Sequence, residues 1–298
     1  MGLVTPFGFW LEKTTRAKII YDHGLRWDDF YKQKENTIDV LFIGSSHCYR
    51  TFNPVIFDTI LDCTSFNLGS GGQSPFTGFF VLKEALDYQN PKVVLMEVFY
   101  GPFEIADDFE NAMYNYDYMR EGGSKKAMYR ELNLKDKIRL CFPAYRFSSG
   151  LKVMFSKEKV NADLYSKSVY MGRGYVETDL PPDFFKPDTI GFKSKEIKIQ
   201  DKQIAYFDSI VALCRRNNAQ LVLVTQPVHP AFAYRFQYID PNGFLDSLAA
   251  KHNLLRIDGN KLFNGYFTGA DFYDSHHFNK NGATRFSKLI AEQLKSLN

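Results

Sequence analysis

The chain has 298 residues, of which 45% are hydrophobic and 16% aromatic, which excludes a disordered class and suffices for one large domain with a substantial core. With 37 basic and 34 acidic residues the formal charge is only +3, and no basic run stands out, so nucleic-acid binding is excluded as a starting point. Cys48, Cys63, Cys141 and Cys214 lie far apart without C-x-x-C spacing, which argues against a zinc site and against a disulfide framework. No stretch reaches the ~18 apolar residues needed to cross a bilayer. The chain as given is therefore expected to be soluble; an extracytoplasmic protein whose anchor lies outside this sequence would look the same.

In chain order, residues 1–36 read as a leader with some helix. Residues 38–44 are a short, mostly β-branched or aromatic run ending at Gly44 and two serines, the pattern of a buried strand followed by a functional turn. Residues 64–69 form a second, weaker strand that runs into a glycine-rich turn. A helix is expected over 79–87, stopped at Asn90-Pro91. Residues 92–99 are a third strand. An amphipathic helix follows at 196–216, with Ile197, Ile204, Phe207, Val211 and Leu213 roughly on one side. Strands at 220–225 and 254–258 flank a helix at 244–252, and a last helix starts near Ala283. Strands alternating with helices, each strand mostly apolar, imply a parallel sheet covered on both faces, with ligands at the carboxyl ends of the strands. The alternation breaks over 101–195. That segment, with Tyr100 just before it, carries 9 of the 18 tyrosines and reads as an insertion over the strand ends, a lid or substrate platform.

Three stretches carry candidate chemistry. Ser46, in Gly44-Ser45-Ser46-His47, follows the first strand. Such a turn offers a nucleophile a rigid mount, and the helix after it favours negative charge. Taken locally, Ser45 and Ser46 read at least as well as helix caps. Cys48 reads as a small buried residue. After the second strand comes Asn67-Leu-Gly69-Ser-Gly-Gly72-Gln73. A glycine there can aim its N–H at a developing oxyanion, although glycine clusters are common in ordinary loops. Before the last helix, Asp274 stands three residues ahead of His277, so one turn can bring carboxylate and imidazole together. His276 reads as a packing residue. The His276/His277 pair admits a metal, but no further cluster has ligand spacing, so neither metal nor cofactor is expected. Gln73, Arg50, Gln226 and His229 lie just beyond strand ends, where a substrate could reach them.

Gly44-Ser45-Ser46, Asn67-x-Gly69-x-x-Gly72 and Asp274-x-x-His277, in this order on an α/β pattern, resemble the first, second and fifth sequence blocks of the SGNH/GDSL hydrolase superfamily. The resemblance implies a flavodoxin-like three-layer α/β/α sandwich with a parallel sheet. It implies a nucleophile at Ser46, a base at His277 and an orienting acid at Asp274, with the Ser46 and Gly69 amides in the oxyanion hole. Two positions depart from the family. Its usual Asp before the nucleophile is Ser45 here, and its third-block Asn is missing from Glu97-Val-Phe-Tyr100-Gly101, where Tyr100 is the nearest replacement. The altered first block is similar to the DltD-like and alginate-acetylation-like branch. That implies a serine esterase or O-acyltransferase acting on acyl, chiefly acetyl, esters of a carbohydrate or cell-envelope glycopolymer, alongside a membrane-bound acyl-transfer partner. The alternative is a catalytically weak or inactive protein of the same fold serving glycan binding or envelope assembly.

Overall fold

The structure is a computed structural model that describes residues 21–141, 167–184, 197–231 and 243–296. Its strands are β1 (Val40–Ile43), β2 (Ser65–Asn67), β3 (Val93–Glu97), β4 (Ser168–Tyr170), β5 (Val176–Thr178), β6 (Gln220–Thr225) and β7 (Leu255–Asp258). Five of them form one parallel sheet in the order β2-β1-β3-β6-β7, and β4 pairs antiparallel with β5. Counted among the sheet strands alone, that order is 2-1-3-4-5, the flavodoxin-like winding.

Side chains alternate across each strand. Leu41, Ile43, Val94, Met96, Leu221 and Leu223 enter one buried apolar cluster, and Val40, Phe42, Leu95, Val222 and Val224 enter another on the opposite face. Burial on both faces is why these strands are continuous apolar runs rather than alternating ones.

The helices are α1 (Tyr21–Lys32), α2 (Ser46–Thr51), α3 (Pro54–Leu61), α4 (Pro75–Leu86), α5 (Phe109–Tyr116), α6 (Gly123–Glu131), α7 (Leu134–Cys141), α8 (Asp201–Arg216), α9 (Phe244–Lys251), the single turn α10 (Gly259–Leu262) and α11 (Lys280–Ser296). The first cluster is closed by α1, α4, α8 and α9, through residues such as Trp27, Phe80, Phe207 and Leu245. The second is closed by α2, α3 and α11, through Cys48, Phe57 and Phe286. The result is the three-layer α/β/α sandwich that the sequence pattern implies. Among the described residues no helix is long and apolar enough to cross a membrane.

Several boundaries differ from the sequence reading: the helix expected from 196 begins at Asp201, after 197–200 in extended or irregular backbone, and the last helix begins at Lys280, three residues before Ala283. Helix α4 starts at Pro75 rather than Phe79, because Ser74 caps it by accepting the Thr77 N–H at 3.2 Å and proline is pre-organised for a first turn. The segment read as a leader contains α1, whose Trp27 and Phe30 are buried, with Trp27 Nε1 donating to Asn115 Oδ1 at 3.2 Å. Described residues of 1–36 thus belong to the body of the domain; residues 1–20 lie outside the described part.

Between β3 and β6 the chain leaves the sheet. It forms a 3₁₀ turn at Gly101–Glu104, then α5 to α7 and the β4–β5 hairpin, while 142–166 and 185–196 lie outside the described residues. The tip of the hairpin docks on the edge strand: the Asn67 N–H donates to the Arg173 carbonyl at 2.9 Å. Gly174 sits at φ +81°, and a Cβ there would fall 1.7 Å from the Asn67 carbonyl oxygen. Both the left-handed backbone and the backbone collision demand glycine. Gly174→Ala is expected to cost about 2–5 kcal/mol in urea unfolding. A loss below about 0.5 kcal/mol, the range of a neutral surface change, would mean that the hairpin does not press on β2.

Candidate active site

The turn after β1 is built to expose one side chain. Every residue from Val40 to Phe52 is buried except Ser46, which is half-buried. Gly44 has φ +143°, and a Cβ there would lie 2.7 Å from Glu97 Cβ, so only glycine lets β1 pass the end of β3 this closely. Ser45 caps α2, its Oγ accepting the His47 N–H at 3.2 Å. Ser46 is then the first helical residue, and its N–H belongs to the first turn, where amides have no partner within the helix.

The loop before α11 is a tight projection on a buried base. Phe272 and Phe278 pair as a β-bridge and stack with ring centroids 4.5 Å apart, and the Tyr273 N–H donates to the His277 carbonyl at 3.1 Å. Between them Asp274 Oδ1 accepts the N–H groups of His276 (2.9 Å) and His277 (2.6 Å), which leaves Oδ2 to accept from His277 Nδ1 at 2.8 Å. His277 Nε2 lies 2.9 Å from Ser46 Oγ. Serine, imidazole and carboxylate thus form one hydrogen-bonded chain from two ends of the sequence. With Nδ1–H held by Asp274, Nε2 presents its lone pair to the serine hydroxyl. The Tyr273 ring lies parallel to His277, 5.5 Å away, and limits its tilt.

The electrostatics suit proton acceptance. Burial is the largest influence on His277 and lowers its pKa below the ordinary histidine value, against the opposing pull of Asp274, so the ring is neutral near pH 7. Burial works against ionisation of Asp274, but the His277 charge and the donated hydrogen bonds outweigh it and hold the carboxyl well below the usual range.

A second chain runs beside the first, and sequence reading missed it. Glu97, at the end of β3 and 3% exposed, accepts the Ser45 N–H at 2.8 Å and the Ser45 hydroxyl at 2.7 Å on Oε2. Its Oε1 lies 3.3 Å from His47 Nδ1, and His47 Nε2 lies 2.8 Å from His276 Nδ1. Glu97 therefore places a carboxylate beside residue 45, where the resembled family has an aspartate. The first-block departure, Ser45, thus faces Glu97 at the start of the third-block segment; the Asn missing from that segment is a separate departure. The signal available was a carboxylate ending an apolar strand, since a buried charge requires partners.

The other expected site residues take different places. Gly69 does not present a free amide: its N–H donates to Asn67 Oδ1 at 2.9 Å, and a Cβ would fall 2.7 Å from Cys48 Cβ, so close packing accounts for the glycine. Cys48 is fully buried and burial raises its thiol pKa well above normal, which fits a packing role. Gln73 is consumed by the scaffold, its Oε1 accepting the Gly44 N–H at 2.8 Å and its Nε2 donating to the Leu68 carbonyl and Ser70 Oγ. Arg50 is buried and donates to Ser168 Oγ and Thr178 Oγ1, tying the β4–β5 hairpin to α2. Gln226 accepts from Thr51 Oγ1 at 2.6 Å and donates to the His276 carbonyl, so it steadies the histidine loop. His229 is buried against Asp183, 3.0 Å away, and accepts the Ala231 N–H at 3.0 Å. Tyr100 precedes the 3₁₀ turn with its ring edge-on to Phe99, while from α5 the Asn111 carboxamide packs on Gly72. An amide group thus reaches the glycine turn from a segment that local reading could not connect to it.

No family model and no curated protein matches the chain. Solved structures do. A catalytic mutant of an acetylxylan esterase from Geobacillus stearothermophilus is 12% identical, covering 87% of this chain and 95% of its own, with a TM-score of 0.42. A GDSL-like lipase from Bacteroides thetaiotaomicron is 12% identical over 87% of this chain and 88% of its own, with a TM-score of 0.40. The lipase/acylhydrolase from Enterococcus faecalis is 12% identical over 87% and 96%, with a TM-score of 0.41. The likeness concerns the fold alone.

Proposed function

We propose that the protein is an SGNH-type serine esterase or O-acyltransferase that works through an acyl-serine intermediate. The observation that supports it is the continuous chain from half-buried Ser46 through His277 to Asp274, with both links at ordinary hydrogen-bond length. Ser46 Oγ attacks the ester carbonyl as His277 Nε2 takes its proton, and Asp274 stabilises the imidazolium. The Ser46 N–H faces the developing oxyanion. Collapse expels the alcohol, which takes the proton back from His277. Water, or an acceptor hydroxyl, then attacks the acyl-serine with His277 again as base.

The substrate we propose is an acetylated carbohydrate or envelope glycopolymer. The acetylxylan esterase among the structural neighbours is a named precedent for acetyl-sugar esters on a similar fold. In the transferase form the acyl group comes from a membrane-bound partner. The reading as a weak or inactive binding protein draws support from the engaged Gly69 amide, since losing one oxyanion donor costs about 10²–10³ in rate. A serine already bonded to a base favours catalysis.

A fluorophosphonate probe is expected to label the wild-type protein at Ser46 and to leave Ser46→Ala unlabelled, with acetate release from acetylated xylan following the same pattern. Labelling that survives in Ser46→Ala, or a folded wild type that is never labelled, would reject the nucleophile.

A further inference from the structure

We propose that His47, His276 and His277 form a binding site for one zinc-class divalent ion, and that the bound ion switches the serine off. One ligand nitrogen from each ring lies within 4.8 Å of the others. Zn–N bonds of about 2.0–2.1 Å set tetrahedral nitrogens about 3.3 Å apart, so ring rotations of about an ångström complete the site. The rings come from α2 and from the loop before α11, which is why no ligand spacing appears along the chain.

Two of the three rings already carry the outer partner of a metal-bound imidazole. His47 Nδ1 faces the Glu97 carboxylate at 3.3 Å, and His277 Nδ1 faces the Asp274 carboxylate at 2.8 Å. Such carboxylate–histidine pairs fix the tautomer that leaves the other nitrogen open to a metal. The open nitrogens are then His47 Nε2 and His277 Nε2. His276 Nδ1 lies 2.8 Å from His47 Nε2 and donates its proton there. To bind the ion, His276 shifts that proton from Nδ1 to Nε2 and offers the Nδ1 lone pair, so no proton leaves the protein. Two neighbouring carboxylates offset the charge of a dication. Ser46 Oγ lies 2.9 Å from His277 Nε2 and is the fourth donor this proposal assigns.

Binding removes the base. The His277 Nε2 lone pair that would take the Ser46 proton is the one the ion occupies. Three imidazoles favour zinc, cobalt or nickel over magnesium and calcium, which prefer oxygen. The inhibitory half rests on the Ser46–His277 reading given above; the binding half rests on the three histidines alone.

The test uses the full chain stripped with a chelator and needs no ester for its first arm. Titrated Co²⁺ is expected to give a one-to-one complex with tetrahedral visible absorption, displaced by Zn²⁺ and untouched by excess Mg²⁺. His276→Ala and, with the hydrogen-bonding capacity toward His47 kept, His276→Gln are each expected to weaken Zn²⁺ binding at least about 10–100-fold, the loss typical even of an outer-sphere partner. In the second arm, fluorophosphonate labelling of the wild type is expected to slow at least tenfold in saturating Zn²⁺ and to recover with chelator. Each variant, compared with its own metal-free rate, is expected to ignore the ion. Absence of stoichiometric Co²⁺ binding to the folded wild type, or equal binding by both variants, overturns the site. Binding with undiminished labelling overturns the switch. A protein that binds Co²⁺ but is never labelled keeps the site and loses the esterase reading.

Discussion

Replacing Asp274 with asparagine is expected to lower turnover of a simple acetyl ester by about 10⁴-fold, equivalent to about 5.5 kcal/mol in the barrier, while leaving the fold in place. The reason lies in the direction of one proton. Asp274 Oδ2 now accepts from His277 Nδ1 at 2.8 Å, which leaves Nε2 unprotonated toward Ser46 Oγ. Asparagine can keep its Oδ1 on the His276 and His277 N–H groups, the bonds that shape the loop. Its other atom is then an NH₂ group, which requires His277 Nδ1 to accept. The imidazole proton moves to Nε2, and the ring donates to the serine instead of receiving from it. Fluorophosphonate labelling should slow in parallel, with an unchanged circular dichroism spectrum. A loss of less than about tenfold would place the proton acceptor elsewhere, since even modest general-base assistance is worth about 10²–10⁴.

What could be read from the sequence divides by the range of the interaction. The sheet was legible because a strand buried on both faces must be apolar through its middle, as residues 40–43, 93–96 and 221–224 are. Ser46 was legible as a turn residue, and Asp274 with His277 as a pair, because a strand end and a three-residue spacing are local facts. Helix α1 looked like a leader because Trp27 and Phe30 bury against residues from other parts of the chain, such as Asn115 and Phe66. The β4–β5 hairpin has three-residue strands, too short for a period to register, and its tip is held by contacts to Asn67. Gln73 and Arg50 follow strand ends, within a substrate's reach by position, but both side chains turn inward to scaffold partners, and position along the chain says nothing of side-chain direction. The Glu97–His47–His276 chain links residues 50 and 229 positions apart. Each of its members has a bland local reading, and only the fold brings them together.

That chain makes the second strong prediction, a coupled one. Glu97 Oε2 accepts both the N–H and the hydroxyl of Ser45, and Oε1 faces His47, all in the buried floor beneath Ser46. Glu97→Gln puts an NH₂ donor where one of these acceptors stood. It is expected to cost about 2–4 kcal/mol, the consequence of one or two buried donors left unmatched. The displaced floor should also lower turnover by about 10²-fold, as a misplacement of about 1 Å can. Ser45→Asp alone should be destabilising as well. It brings a second carboxylate to within contact of Glu97 Oε2, which now lies 2.7 Å from Ser45 Oγ, and two buried carboxylates this close cannot both ionise. Combined, the substitutions relieve each other. An aspartate at 45 can still cap α2 through the His47 N–H that Ser45 Oγ accepts now, and it faces the glutamine NH₂ instead of a like charge. The double variant is expected to be more stable than the sum of the single losses by at least about 1 kcal/mol, within the range found for contacting pairs. Urea unfolding of the four proteins measures this directly. Simple additivity would mean that Glu97 does not stand in for the carboxylate missing from position 45.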